Sequence, residues 1–234
     1  MTTEEIANLF VQYTDEADQT FMSQTDVVTF LNLAYNQFRS IVSEQDNYFY
    51  ANIVTLPPVT ATQQYDLALG TNPVRILGNP ATLTNPKMYR LIRIGLDNGQ
   101  GIGLSTYYLM PARSSVDVNG DINRYMLRGS VLFFSSLTPL SVNIEYLPYP
   151  STLFTTANIL TGAGVFLDDL DAFHDIIALL AYRHYAIKDF ASNPVLEGQL
   201  QDRVSDLKEY LSSGRSFTAR SFVVNSDEKD YLSY

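Results

Sequence analysis

Histidine is the side chain best suited to acid–base or metal chemistry near neutral pH. This chain has two, His174 and His184, ten positions apart. At about 100° per helical residue, that spacing leaves them roughly 80° apart around a helix. A two-histidine metal face wants i, i+4 spacing, so the pair does not make one. Asp171 and Asp175 lie close to His174, but acids at the start of a helix are ordinary capping and dipole chemistry. A Ser-His-Asp arrangement would need a nucleophile, and no Gly-x-Ser-x-Gly elbow supplies it. Gly99-Gln100-Gly101-Ile102-Gly103 resembles a phosphate loop only superficially. It lacks Gly-Lys-Ser/Thr and no helix follows, so it reads as a hairpin tip. Gly162-Ala163-Gly164 reads as a loop before a helix. Tyr107-Tyr108 and the tyrosines at 146 and 149 could stack on sugars or bases, but they suit the faces of a half-buried sheet better. No carboxylate pair stands out as a hydrolase site. Neither catalysis nor a cofactor is expected, nor any metal.

Helical signals position the two ends of the chain, and β signals fill the middle. Thr2-x-x-Glu5 reads as a capping box opening a short helix over about residues 3–13. Ser23-x-x-Asp26 is a second capping signature. After it, Val27, Phe30, Leu31, Ala34, Phe38 and Ile41 recur at helical spacing over residues 26–42. From residue 49 the period shifts. Short strands are predicted at 49–55, 64–67, 74–77, 88–96, 103–110, 123–127, 131–135 and 141–146. Asn72-Pro73, Asn79-Pro80 and Asn85-Pro86 break helix between them. Asp97-Asn98-Gly99, Asn119-Gly120 and Arg128-Gly129 suit tight turns. Leu167-Asp168-Asp169 then opens a helix with Phe173, Ile176, Ile177, Leu180, His184 and Ile187 as its buried stripe. Asn193-Pro194 starts another, carrying Leu196, Leu200, Val204, Leu207 and Leu211, with Gly214 as its C-cap. The connection between these two helices is very short, so they should form an antiparallel hairpin.

The fold expected is α+β. An antiparallel helical bundle spans 1–48 and 151–213, an antiparallel β-sandwich or barrel is inserted at 49–150, and an extended C-terminal docking arm covers 214–234. The arm is too short for its own core and too apolar for a solvating tail. Phe217, Phe222, Val223, Val224, Tyr231 and Tyr234 are its candidate partner contacts.

The chain has 234 residues, 46% of them hydrophobic, which is enough for a proper core and excludes global disorder. It contains no cysteine, which fits a reducing compartment and removes disulfides and thiolate metal sites. The first dozen residues lack the basic start of a secretory signal. No apolar run reaches the roughly 18 residues of a membrane span, and Asp175 and Arg183 interrupt the best candidate. Net charge is −10 and uneven. Residues 1–49 carry −7, 50–150 carry +2, and 151–234 carry −5. Gripping DNA wants clustered Lys and Arg, so a nucleic-acid-binding domain is disfavoured; on charge alone the acidity reads first as plain solubility, with a surface that repels DNA as the alternative.

Four segments, in this order, resemble the head-to-tail adaptor (connector) proteins of tailed bacteriophages. The first is Phe30-Leu31-Asn32-Leu33-Ala34-Tyr35-Asn36-Gln37-Phe38, close to that family's Leu-x-x-Ala-Tyr helix. The second is Ile53-Val54-Thr55 with Gln64-Tyr65-Asp66-Leu67, like its Tyr-x-Leu strand. The third, Val142-Asn143-Ile144-Glu145-Tyr146-Leu147-Pro148-Tyr149-Pro150, is similar to its Ile-x-Tyr-x-x-x-Pro strand ending. The fourth is His174-Asp175-Ile176-Ile177-Ala178-Leu179-Leu180-Ala181-Tyr182, followed by a second helix. The resemblance covers most of residues 23–213. It implies a virion structural protein at the neck, made in the host cytoplasm and assembled as a ring of about twelve copies between portal protein and tail or nozzle proteins. DNA would pass through the lumen during ejection without specific binding, and no membrane would be involved. Glu4, Glu5, Asp15, Glu16 and Asp18 are candidates for an acidic lumen. The alternatives are a tail-side ring protein (tail terminator or gatekeeper) and, in another class, a carbohydrate-binding module built on the tyrosine-rich β-domain.

Overall fold

A computed structural model describes residues 1–14, 22–57, 64–68, 74–78, 83, 85–97, 105–108, 110–111, 124–134, 141–150, 152–189 and 193–218. The fold is α+β. Among these residues there are four helices, α1 (Thr3–Thr14), α2 (Gln24–Gln45), α3 (Asp175–Asp189) and α4 (Pro194–Thr218). The strands are β1 (Asn52–Leu56), β2 (Gln64–Asp66), β3 (Met88–Asp97), β4 (Ser105–Tyr108), β5 (Met110–Pro111), β6 (Arg124–Arg128), β7 (Val131–Phe134) and β8 (Val142–Pro148). The chain divides into two compact units, one of residues 1–46 with 152–234 and the other of residues 47–151.

In the helical unit, local chemistry sets the helix starts. The Thr2 amide donates to Glu5 Oε2 at 2.8 Å, and the Glu5 amide to Thr2 Oγ1 at 3.3 Å. Ser23 and Asp26 form the same reciprocal box at α2. Asn193 Oδ1 accepts from the Val195 amide at 3.0 Å, and Pro194 occupies the first turn of α4, where its missing N–H costs nothing. The helix α3 is the centre of this unit. Ile176, Ile177, Ala178, Leu179, Leu180, Ala181 and Tyr182 are all buried, as expected of a helix that is apolar all round. It packs against α1, α2 and α4. Phe10 of α1, Phe30 of α2 and Tyr185 of α3 meet edge-on with ring centroids 6.2–6.5 Å apart. The pairs Arg183–Glu197 and Arg203–Asp175 fix α4 antiparallel to α3.

Asn32 of α2 is the main polar clamp of the unit. Its Nδ2 donates to the carbonyls of Val28 (2.9 Å) and Phe154 (2.8 Å). Its Oδ1 accepts from the amides of Leu153 and Phe154, both at 3.0 Å. One side chain thereby fixes where residues 153–154 lie on α2, with Phe154 fully buried and edge-on to Tyr35.

The β unit holds two sheets, with strand orders β1-β8-β3-β4 and β2-β7-β6-β5. The first is antiparallel throughout, whereas β5 runs parallel to β6 in the second. Val54, Leu56, Ile94, Val142, Ile144 and Tyr146 of the first sheet share one apolar core with Tyr125, Leu132 and Phe134 of the second. The central strand β8 is buried on both faces, so its polar residues need partners. Asn143 Oδ1 accepts from Thr55 Oγ1 at 2.7 Å, and Glu145 Oε2 accepts from Arg93 Nε at 2.6 Å. The Tyr146 hydroxyl donates to the Pro86 carbonyl at 2.8 Å and accepts from Asn52 at 2.9 Å. Gly129, at φ +60°, makes the two-residue turn between β6 and β7, where the left-handed backbone favours glycine.

Several sequence expectations need correction. The helix predicted from Leu167-Asp168-Asp169 starts at Asp175, after a 3-10 turn at Asp171–Phe173. Asp168 is occupied instead by the Leu170 amide and His174. Ile187, expected in the buried stripe of that helix, is 68% exposed. Helix α4 passes through Gly214 to Thr218, so Gly214 is not its C-cap and the first five residues of the expected arm are helical. Glycine weakens a helix interior by about 1 kcal/mol but ends one only by turning left-handed. Residues 74–77 form no strand, and β1 starts at Asn52 rather than at 49. The β-domain is not antiparallel throughout, because of β5.

Candidate functional site

The most elaborate polar constellation surrounds His174, which is fully buried just before α3. Its Nε2 lies 2.7 Å from Asp168 Oδ1. A carboxylate only accepts, so Nε2 carries the hydrogen. Nδ1 lies 3.4 Å from the Met1 ammonium and 3.4 Å from Asp171 Oδ1. The ammonium itself donates to Asp171 at 2.6 Å. That hydrogen bond, followed by the ammonium charge and the charge of His174, holds the Asp171 carboxyl below its usual range. The ring of Phe38 sits edge-on to the imidazole at 6.1 Å. Among the described residues, both imidazole nitrogens face acids or an amine. The cluster can hold the chain's first residue against the start of α3.

His184 stands apart. Its Nε2 is buried without a hydrogen-bond partner among the described residues, and burial, with the neighbouring Arg183 charge, lowers its pKa. The structure therefore does not bring the two histidines together. Among the described residues, no group of three His, Cys, Asp or Glu side chains could hold a metal ion. No helix among them is long and apolar enough to cross a membrane.

A second constellation is apolar and exposed. The loop before the His174 cluster is fastened to α1 at four points. The Thr3 amide donates to the Val165 carbonyl at 2.9 Å, and Val165 returns a bond to Thr3 Oγ1 at 3.1 Å. Thr3 Oγ1 donates to the Asn158 carbonyl at 2.7 Å, and Glu4 accepts from the Gly162 amide at 2.9 Å. A β-bridge joins Thr2 to Phe166. Gly164 lies so close to α1 that a Cβ there would come within 2.9 Å of Glu4 Cβ. On this fixed frame Leu160 and Val165 are half-exposed, and the Phe166 side chain is 78% exposed.

The β unit has an aromatic surface of its own. Tyr89 and Tyr149, both exposed, meet edge-on at 5.2 Å where β3 and β8 pair, and Lys87 Nζ lies 5.2 Å from the centre of the Tyr149 ring. Arg90, also exposed, bonds Asn47. Arg93 lies over Tyr48 at 4.8 Å while paired to Glu145.

Of the residues expected to line an acidic lumen, Glu4 and Glu5 occupy the first turn of α1, where Glu4 binds Gly162 and Glu5 caps Thr2. Asp15, Glu16 and Asp18 lie outside the described residues. Of the expected arm contacts, Phe217 falls in the last turn of α4, and Phe222, Val223, Val224, Tyr231 and Tyr234 lie outside the described residues. Sequence reasoning read Asp168 as a helix-opening acid rather than as the partner of His174, and it did not single out Asn32 or the apolar loop tip at Phe166. The pair Gly162 and Gly164 was the one local sign of a close approach there. No protein-family model matches the chain, and no curated protein matches it.

Proposed function

We propose that this protein is a virion structural protein, a head-to-tail adaptor that forms a ring between portal and tail and continues the DNA conduit. The observation that carries this reading is the division of the chain. A helical unit built from residues 1–46 and 152–234 is interrupted by a β unit of residues 47–151. The four segments that resemble adaptors occupy central places in those units. Leu31, Ala34, Tyr35 and Phe38 are the buried face of α2, Val54 and Ile144 lie in the β core, and 176–182 form the buried length of α3. Such places are where packing patterns are expected to persist.

On this reading the helical unit is an antiparallel bundle and the β unit a small sandwich or barrel. The residues after Thr218 serve as an arm that reaches the portal or a neighbouring subunit. The charge asymmetry supports the same assignment. A chain of net charge −10 repeated around a ring would present DNA with a repelling wall. No nucleotide, metal or sugar chemistry is required of it.

The test is co-assembly with the portal protein of the same particle, imaged by electron microscopy and weighed by native mass spectrometry. The expected product is a closed ring of about twelve subunits seated on the portal. A chain ending at Thr218 should fold, with an unchanged melting temperature, yet fail to seat. A full-length chain that stays off the portal at every concentration tested would overturn the reading. A sixfold ring that binds only tail proteins would favour a tail terminator or gatekeeper.

A further inference from the structure

We infer that the Phe166 loop is a docking knob and that its seat is the basic tyrosine surface of the β unit in a second copy of this chain. This rests on the ring assembly proposed above. Exposed single hydrophobic residues are common and by themselves mean little. This one differs in how it is held. Four hydrogen bonds and a β-bridge fasten residues 158–166 to α1, so the ordering cost of the loop is already met within the free chain. A rigid aromatic side chain with 78% exposure loses little further entropy on contact, which is the property of an interface anchor.

Charge identifies the occupant. The sequence contains no Lys or Arg between residues 1 and 38 or between 129 and 182. Glu5 and Asp169 are exposed beside the knob, whereas Asp171 is paired with the Met1 ammonium. The β unit is the one stretch of the chain with a basic balance. Its exposed tyrosines Tyr89 and Tyr149 meet beside Lys87, Arg90 is exposed next to Tyr89 in the sequence, and the nearest acid along β8, Glu145, is buried and neutralised by Arg93. An apolar knob rimmed by acids fits an aromatic surface rimmed by bases. Because knob and seat are different surfaces of one chain, a head-to-tail pair leaves one seat unfilled on one copy and one knob unfilled on the other. Repetition of such a contact closes a ring if the rotation per copy allows it.

The absence of cysteine makes the test clean. Full-length Phe166→Cys is mixed with full-length Tyr149→Cys, one of them size-tagged, on the portal-seated assembly, then oxidised and run without reductant. The expected product is a mixed disulfide dimer that neither variant forms alone. Phe166→Glu and the double change Lys87→Glu/Arg90→Glu should each weaken assembly about tenfold or more, and higher salt should weaken the native contact. Phe166 is exposed, so its variant should melt with the native chain, and an unchanged melting temperature separates lost docking from lost folding. A ring that forms normally but gives no mixed disulfide, or that tolerates Phe166→Glu, overturns this inference and leaves the adaptor reading standing. A Phe166→Cys self-dimer also overturns it, because it would place knob against knob. A chain that never assembles on the portal defeats both.

Discussion

Arg93 donates Nε–H to Glu145 Oε2 at 2.6 Å across β3 and β8, and the Glu145 side chain is only 4% exposed. The geometry makes the two residues unequal. Removing Arg93 leaves a carboxylate buried in the central strand, and losing one member of a fully buried pair costs about 3–5 kcal/mol. The Arg93 side chain is itself one-third exposed, so water can reach the gap, and Arg93→Met should cost about 2–3 kcal/mol. Arg93→Met combined with Glu145→Leu should recover most of that, because an apolar pair in the same volume has no charge to desolvate. Urea unfolding of the three proteins measures it. A double variant no more stable than the single one would show that the pair is not the source of the loss.

Arg203 ties α4 to the start of α3 in another way. Its Nε and one terminal nitrogen fork onto the two oxygens of Asp175 at 2.7 and 2.8 Å, and the same nitrogen donates to the Ala172 carbonyl. The guanidinium also lies 5.3 Å from the centre of the Phe173 ring. Lysine keeps the charge but has neither the fork nor the planar face. Arg203→Lys should therefore destabilise by about 1 kcal/mol, modest because the pair is partly solvent-screened. In a double-mutant cycle with Asp175→Asn, the coupling should account for most of that loss. Coupling near zero would assign the role to the Phe173 contact instead.

Local chemistry was legible in the sequence, and long-range chemistry was not. The capping boxes at Thr2/Glu5 and Ser23/Asp26, and the Asn193-Pro194 start, involve residues within four positions of each other, and all three form where the sequence places them. Residues 74–77 show the limit of periodicity. Val74 and Ile76 are buried as the alternation suggests, yet the amides of Ile76 and Leu77 both reach the Leu67 carbonyl rather than entering a ladder. Alternation reports which side chains are buried, not which strands pair.

The sites were hidden for the same reason. Asn32 looks like any polar residue on an amphipathic helix, because its partners Leu153 and Phe154 lie more than a hundred positions away. Asp168 resembled a first-turn acid, but its partner is a buried histidine that only the folded chain places beside it. The clasp between α1 and residues 158–165 is likewise invisible to any local window.

Three glycines separate fit from flexibility. A Cβ at Gly164 would meet Glu4 Cβ and Thr2 Oγ1 at 2.9 Å, with Thr2 Cβ at 3.0 Å. The two Cβ atoms are fixed to the backbone and cannot swing away, whatever rotamer Thr2 adopts. Gly164→Ala should therefore cost about 1–3 kcal/mol and speed hydrogen exchange at the Thr3 and Val165 amides. At Gly162 the space is open but φ is +77°, so alanine there should cost about 1–2 kcal/mol through backbone strain alone. Gly198 lies inside α4 with open space and no unusual φ, so Gly198→Ala should stabilise by about 0.5–1 kcal/mol. Thermal melts order the three. Equal effects at 164 and 198 would mean that the clasp gives way freely.

His184 should make stability depend on pH in a defined window. Burial, the larger cause, and the adjacent Arg183 charge hold its folded pKa below the ordinary histidine value of 6.5. The unfolded chain keeps the ordinary value. Below about pH 6.5 the unfolded state therefore binds more protons than the folded one, and stability rises with pH across the interval between the two values. As pH falls through 6.5 toward the folded value, stability is lost, and the loss stops once both states are protonated. The depressed carboxyl of Asp171 acts only as pH falls below its ordinary value of 3.8, outside the range from pH 5 to 8 in which His184 is tested. His184→Leu removes the titrating group and the unpartnered Nε2. The difference in stability between native and variant proteins should be constant above pH 7 and should shift in the variant's favour below 6.5, by at most about 1.4 kcal/mol per pH unit. Urea midpoints taken between pH 5 and 8 measure it, and parallel curves for the two proteins would rule out His184 as the source.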